Sequence, residues 1–209
     1  TLLFNHYSIA QYNALETFTT GNGLGNNGCT ALLVEPDGTL WVGHDFFGQP
    51  SLNGKPISRR APDGTWSYPF QSAGLSIPTV NGNPFSWNSF DVSEIHRAND
   101  GTIWFLSDAP NNNDMNSAPP LLSYKNGNFS AHHISLNNFP NNGAVHTMLV
   151  DGNGDLWFGC EGGLVYYDPV ADQFSSFNPP IINFANANNH TSDRVFALDY
   201  DNTGKILAI

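Results

Sequence analysis

The sequence has few positively charged side chains and few cysteines. It contains 7 Lys and Arg against 18 Asp and Glu in 209 residues, so its formal net charge at pH 7 is −11. Such a chain lacks the basic surface that phosphate groups require, which argues against nucleic acid and anionic membranes as partners. Cys29 and Cys160 are too few and too far apart to predict a disulfide framework. No apolar run approaches the length of a transmembrane helix, so membrane insertion is not expected.

Turn-forming and aromatic residues are abundant instead. Gly occurs 20 times and Pro 14 times, aromatic residues make up 13% of the chain, and charged residues only 12%. Disordered segments are poor in aromatics, and long surface helices usually carry many charges. The composition therefore predicts one turn-rich, folded domain, for which 209 residues are sufficient.

Four segments share one pattern of an apolar strand, a glycine turn and a second apolar strand. They are CTALLVEPDGTLWVG (29–43), VSEIHRANDGTIWFL (92–106), VHTMLVDGNGDLWFG (145–159) and VFALDYDNTGKILAI (195–209). When the four segments are aligned, four positions have matching residues in every copy, and we call each such position a column. The columns are Trp41, Trp104, Trp157 and Leu207; Gly38, Gly101, Gly154 and Gly204; Leu32, Ile95, Met148 and Leu198; Cys29, Val92, Val145 and Val195. We expect the tryptophans in the core and Cys29 to be a small buried residue.

A second hairpin follows each of the first three copies, at 57–70, 121–134 and 163–177. Each repeat is then four antiparallel strands, and stacking such sheets around an axis buries faces that one sheet alone leaves open. The predicted fold is an all-β propeller with complete blades at 29–70, 91–134 and 145–177. Half-blades at 1–20 and 193–209 are complementary. They either close a four-bladed ring or mark a fragment of a larger propeller.

The stretch DGNGD (151–155) resembles the start of a calcium loop but occupies the place of a strand-to-strand turn. The bidentate Glu of a calcium loop would fall at its twelfth position, which is Gly162. The sequence therefore favours a turn, and no metal and no cofactor are expected.

The pattern D-G-x-L/I-W-F/V-G followed by G-L-x-Y-Y-D resembles the two-component regulator propeller repeat. The match is best at 145–168 and good at 29–43, whereas Leu106 and Leu207 depart from it. The resemblance implies an extracellular or periplasmic sensor region and, commonly, a seven-bladed ring. It is specific for the fold and weak for function.

Candidate ligand-binding residues follow the second strand of each repeat. Asp45, Asp108 and Glu161 each lie four residues after their Trp, so circular repetition would place them on one face. Such carboxylates could hold a cation or sugar hydroxyls, or simply cap loops.

Three further candidates are His44, His146 and Trp87. A His beside an acid suits acid–base chemistry, although a structural His is the simpler interpretation. Trp87 falls in a long loop outside the repeat, where it could stack on a sugar or anchor a partner. His132 and His133, on an outer hairpin, are expected to face solvent.

Three functions remain open from the sequence. The first is a non-catalytic module that binds a glycan, peptide or protein partner. The second is a propeller lyase or hydrolase acting on a glycan-like substrate, and no catalytic constellation is assigned for it. The third is a structural component of a larger secreted or surface assembly, or part of a longer chain.

Overall fold

A computed structural model describes residues 16–45, 55–72, 91–107, 121–132, 145–160, 163–177, 195–201 and 203–208. These residues are almost entirely β-strands. The strands are β1 (Cys29–Val34), β2 (Leu40–His44), β3 (Ile57–Arg60), β4 (Trp66–Ser67), β5 (Glu94–Arg97), β6 (Ile103–Leu106), β7 (Leu121–Lys125), β8 (Asn128–His132), β9 (Val145–Val150), β10 (Leu156–Cys160), β11 (Gly163–Asp168), β12 (Gln173–Phe177), β13 (Leu198–Tyr200) and β14 (Ile206–Ala208). Two short 3₁₀ helices span Thr20–Asn22 and Pro69–Ser72.

The strands form three four-stranded antiparallel sheets and one two-stranded sheet. Consecutive strands pair throughout, so β1–β4, β5–β8 and β9–β12 are the first, second and third blade, and β13–β14 is the terminal hairpin. The predicted β-propeller fold is confirmed. The predicted N-terminal half-blade falls mainly on residues 1–15, which lie outside the described residues.

Tight turns join the first two strands of each blade. Gly38, Gly101, Gly154 and Gly204 have φ values of 89°, 84°, 94° and 81°. In the third blade, Oδ1 of Asp151 accepts the backbone N–H of Asn153 at 2.8 Å and of Asp155 at 3.1 Å. The carboxylate of the calcium-like stretch therefore closes the turn, as the repeat predicted.

Adjacent blades pack face to face through their aromatic residues. Trp41 is fully buried, and its ring lies 5.6 Å from Phe105 and 4.9 Å from Tyr124 of the second blade. Trp104 in turn lies 6.2 Å from Tyr167 of the third blade. The tryptophan side of each blade therefore faces the next blade, and the core consists of layers between blades.

Carboxylates at the turns hold two of the three tryptophans. Trp41 Nε1 donates to Glu35 at 2.7 Å, and Glu35 also pairs with Arg97 of the second blade at 3.6 Å. In the third blade, Trp157 donates to Asp151 at 3.2 Å.

The opposite side of each blade faces the preceding blade. On this side of the first blade, the exposure of one residue differs from the prediction. Val92 and Val145 are buried between blades, whereas Cys29, in the same column, is exposed. The prediction that Cys29 is buried was wrong. Cys29 lies on the side of the first blade turned away from the second, so no contact with the second blade covers it.

Candidate functional site

One edge of the sheets gathers the candidate residues. The first strand of each blade begins there and the second ends there, at residues 28–29, 44–45, 91–92, 106–107, 145–146, 160 and 195–196, which we call the loop rim. Segments 46–54, 73–90, 108–120, 133–144 and 178–194 start and end at strands of this rim. The opposite edge, the turn rim, has the tight turns at 35–39, 98–102, 151–155 and 201–205.

Backbone hydrogen bonds tie neighbouring blades together at the loop rim. Val92 N–H donates to the His44 carbonyl at 3.1 Å, and Val195 N–H donates to the Cys160 carbonyl at 3.1 Å. The Thr30 hydroxyl donates to the Val92 carbonyl. Because the same contact recurs between different blades, the rim positions of His44 and Cys160 are equivalent around the propeller.

His44 is fully buried beneath this rim. Its Nε2 lies 2.7 Å from Ser58 Oγ, which accepts the Gly25 N–H at 2.9 Å, and its Nδ1 lies 3.2 Å from the Gly28 carbonyl. The Ser58 hydroxyl therefore donates to Nε2, and Nδ1–H donates to Gly28. Burial lowers the pKa of His44. A neutral ring bonded at both nitrogens supports the fold and leaves neither nitrogen for a ligand.

Asp45 lies at the rim surface next to His44 and is partly buried. Its backbone N–H donates to the Gly28 carbonyl at 3.1 Å, and its carbonyl accepts from Asn26 Nδ2 at 3.1 Å. Asp108, Glu161 and Trp87 lie outside the described residues, so the predicted ring of carboxylates stays a prediction. Within the described ranges, no three His, Cys, Asp or Glu side chains come together as metal ligands.

His146 lies at the start of β9, where the third blade meets the terminal hairpin. Its ring stacks on Phe196 with a centroid distance of 4.5 Å and an interplanar angle of 35°. Phe196 is 58% exposed, so this aromatic pair forms part of the accessible rim.

Sequence reasoning missed a His–carboxylate pair on the first strand of the second blade. Glu94 Oε2 lies 3.0 Å from His96 Nε2 and accepts the Met148 N–H of the third blade at 2.8 Å. Both side chains are partly accessible, at 23% for Glu94 and 32% for His96. The sequence signal for this pair was the spacing of Glu94 and His96, because residues i and i+2 of a strand lie on the same face of the sheet.

His132 does not face solvent, and that prediction was wrong. Its Nε2 lies 2.8 Å from Ser123 Oγ and its Nδ1 2.9 Å from the Tyr167 hydroxyl, which donates to Asp172 at 2.8 Å. The ring also packs 5.0 Å from Trp104. Burial between the second and third blades lowers the pKa of His132, and burial raises that of Tyr167. This chain of polar groups joins two blades.

The two thiols differ in environment. Cys160 is fully buried, and burial raises its pKa to about 12. Cys29 is exposed, although partial burial still raises the pKa of its thiol. Both therefore stay protonated near neutral pH and are poor nucleophiles.

The family model that matches the chain is the two component regulator propeller, at residues 138–162. This match confirms the resemblance predicted from the repeat motif. Comparison with curated proteins gives no match.

Several solved structures share the fold. An extracellular domain assigned to a hybrid two component system of B. thetaiotaomicron aligns over 95% of this chain and 22% of its own, with 18% identity and a TM-score of 0.61. A second such domain aligns over 93% and 22%, with 15% identity and a TM-score of 0.55. Virginiamycin B lyase from Staphylococcus aureus aligns over 87% and 55%, with 14% identity and a TM-score of 0.51. The chain thus spans about a fifth of the two extracellular domains.

In the described part of the chain, no helix has the length and apolar character needed to cross a membrane.

Proposed function

We propose that the chain is a non-catalytic binding module of the sensor type, which presents its loop rim to a glycan, peptide or protein. The observation that supports this function most is the asymmetry of the two rims. Turns of two to five residues close one edge, whereas the longer segments 46–54, 73–90, 108–120, 133–144 and 178–194 start and end at strands of the other. Binding residues are concentrated on loops that a rigid scaffold positions.

The contacting residues proposed for this rim are Asp45, Asp108, Glu161, His146 and Trp87. The Phe196 ring on His146 adds an accessible aromatic surface, which suits sugar rings or aromatic side chains. The role proposed for His44 is indirect, because its two ring nitrogens are bonded to Ser58 and Gly28 and hold the loop that precedes β1. The likeness to extracellular domains of two component systems supports an extracellular or periplasmic location.

A panel of neutral and acidic oligosaccharides and of short peptides tests this proposal. Binding is measured by calorimetry on the wild type and on the rim variants Asp45→Asn and Trp87→Ala. Lys205→Ala, an exposed substitution at a turn of the turn rim, is the control. We expect the rim variants to weaken binding about 10-fold or more, as loss of a central aromatic contact does, and the control to leave it unchanged. Equal weakening by Lys205→Ala would contradict the proposal.

A glycan-directed lyase or hydrolase is the second candidate, and the Glu94–His96 pair favours it. A carboxylate 3.0 Å from an accessible imidazole is a geometry in which His can accept or deliver a proton. Turnover of a bound oligosaccharide that His96→Gln abolishes while binding persists would establish this function. Binding without turnover supports the module.

A further inference from the structure

Four polar side chains form a continuous hydrogen-bond network between the second and third blades. His132 Nε2 lies 2.8 Å from Ser123 Oγ, and His132 Nδ1 lies 2.9 Å from the Tyr167 hydroxyl. That hydroxyl donates to Asp172 at 2.8 Å. We call these four residues the His132 network. The network lies beside the apolar layer that contains Trp104, whose ring is 5.0 Å from His132.

The directions of these hydrogen bonds fix the proton of the neutral imidazole on Nδ1. The Tyr167 hydroxyl has one hydrogen, which it donates to Asp172. The bond between Tyr167 and His132 is therefore donated by Nδ1–H of the ring. Nε2 keeps its lone pair and accepts from the hydroxyl of Ser123, a residue that is 9% exposed. In this arrangement each donor of the network has its acceptor, and the arrangement requires a neutral His132.

A second proton on His132 disrupts this arrangement. Nε2–H then has to donate to Ser123 Oγ, so the Ser123 hydroxyl must turn its hydrogen towards surroundings that contain little water, which is unfavourable. Burial between the blades also disfavours the charged ring and lowers the pKa of His132. Asp172 acts in the opposite direction, but it is exposed and the Tyr167 hydroxyl separates it from the ring, so burial is the larger effect.

The groups that face the imidazole ring come from both blades. The second blade contributes Ser123 and Trp104, which are uncharged. The third blade contributes Tyr167 and Asp172, and among the described residues Asp172 is the charged group that acts on the ring. Asp168 acts on the Tyr167 hydroxyl, whose pKa is raised mainly by burial, so this hydroxyl stays protonated near neutral pH. The imidazole is therefore the group of this network that titrates between about pH 5 and 8.

The contact between the first and second blades has a permanent charge at the corresponding place. Arg59 is the strand partner of Trp41 in the first blade, and its guanidinium lies 5.6 Å from that ring. Ser123 is the strand partner of Trp104 in the second blade, and there His132 contacts the ring instead. Because an arginine stays charged throughout the pH range of interest, the two contacts respond differently to mild acid.

Other contacts hold the inner strands of the second and third blades together. Glu94 on β5 accepts the Met148 N–H of β9 at 2.8 Å. Asn99, in the turn after β5, donates to the Gly152 carbonyl in the turn after β9 at 2.9 Å. Neither bond involves the His132 network, so loss of the network leaves this inner contact in place.

We propose that the His132 network is an acid-sensitive contact, which lets the outer hairpins β7–β8 and β11–β12 separate in mild acid while the inner strands stay joined. A neutral His132 stabilises the closed contact above about pH 6.5, the ordinary pKa of His, and this contribution is lost as the pH falls below that value. β8 ends at His132, so the change acts at the last residue before the loop-rim segment 133–144. The device goes beyond the proposed binding function and does not depend on what the loop rim binds.

Hydrogen exchange near pH 7.5 and near pH 5.5, with labelling times scaled for the intrinsic exchange rate, tests the proposal. If the open contact binds a proton with the ordinary pKa of His and the closed contact does not, opening becomes about 10-fold more frequent at the lower pH. Amides of β8 and β12 should therefore lose up to about 10-fold in protection, whereas those of β9 and β10 should keep theirs. Unchanged protection of β8 and β12, or an equal loss in β9 and β10, would overturn the proposal.

Matched substitutions connect this response to the histidine. His132→Gln keeps a polar side chain and removes the titration, so β8 and β12 should be equally protected at both pH values. His44→Gln is the control and should keep the wild-type response, because His44 also contacts a serine through Nε2 but lies in the first blade. Asp172→Asn removes the charge that favours a protonated ring in the closed contact, so it should enlarge the loss of protection in acid. A pH response that persists in His132→Gln, or one that Asp172→Asn does not enlarge, would contradict the proposal.

Discussion

Two histidines, one fully buried and one partly buried, illustrate how single residues join the layers of this propeller. His44 links Ser58 on β3 to the Gly28 carbonyl before β1, and His132 links Ser123 on β7 to Tyr167 of the third blade. In both rings the nitrogen atoms are bonded to neutral groups. A proton added to either ring would therefore be buried without a carboxylate in direct contact, which is unfavourable.

Stability should consequently fall as the pH drops below about 6.5, the ordinary pKa of His. Burial lowers the pKa of His44 and of His132, so the unfolded chain binds more protons than the folded chain in this range. Their contribution is fully present above the unfolded pKa and is lost below it, at no more than about 1.4 kcal/mol per pH unit for each ring. Urea denaturation at several pH values between 5 and 8 measures this slope.

His132→Gln keeps a polar side chain at the position and removes the titration. Its slope should be shallower than that of the wild type, whereas identical slopes would show that His132 does not contribute. Loss of stability through protonation of the turn carboxylates falls at lower pH than the histidine effect. The hydrogen bond from Lys125, for example, lowers the pKa of Asp100 to about 2.

At the scale of strands and blades, a glycine on the second strand sets how closely neighbours approach. A Cβ added at Gly43 would lie 2.6 Å from Cγ1 and 2.8 Å from Cβ of Val92, which belongs to the second blade. Gly159 is in the same position against Val195. The second blade has Leu106 there instead, and that side chain is buried in the layer facing the third blade.

Gly43→Ala should therefore destabilise the protein by about 1–3 kcal/mol, because the two blades must separate or Val92 must move. Gly152→Ala is the matched control, since nothing lies within 4 Å of its added Cβ and its backbone is not in the left-handed region. The control should change the free energy of unfolding by less than about 0.5 kcal/mol. Equal losses for both variants in chemical denaturation would contradict a role for blade spacing.

The sequence predicts the strands and turns of each blade well, because these depend on local alternation and on glycine at fixed positions. It predicts poorly which side chains are covered, because that depends on a neighbouring blade. Cys29 shares a column with Val92 but has nothing of the second blade over it. His132 appears polar and external until Tyr167 of the third blade is placed against it. The predicted ring of carboxylates stays a prediction. The Glu94–His96 pair was missed because its position depends on the β9 backbone, where Glu94 accepts the Met148 N–H.

At the scale of the whole molecule, the blades differ in how many neighbours support them. The second blade is packed on both sides, against the first blade in one core layer and the third in another. In the part of the chain that the structure describes, the first blade has a neighbouring blade on one side, and the terminal hairpin contacts the third blade through one face. In repeat proteins the stability of a unit is approximately its own stability plus that of its neighbour contacts.

Hydrogen exchange should follow this order. Amides of β5, β6 and β7 should exchange most slowly, near the free energy of global unfolding, because opening them breaks two layers. Amides of β13 and β14 should exchange fastest, although their hairpin has the same type of turn as β9–β10. Leu207 occupies the position that Trp41 and Trp104 take in the first two blades. Those tryptophans are buried, whereas Leu207 is half exposed and contributes little packing to the hairpin. Uniform protection from β1 to β14 would contradict this order, because it would mean that the first blade and the terminal hairpin are supported as strongly as the second blade.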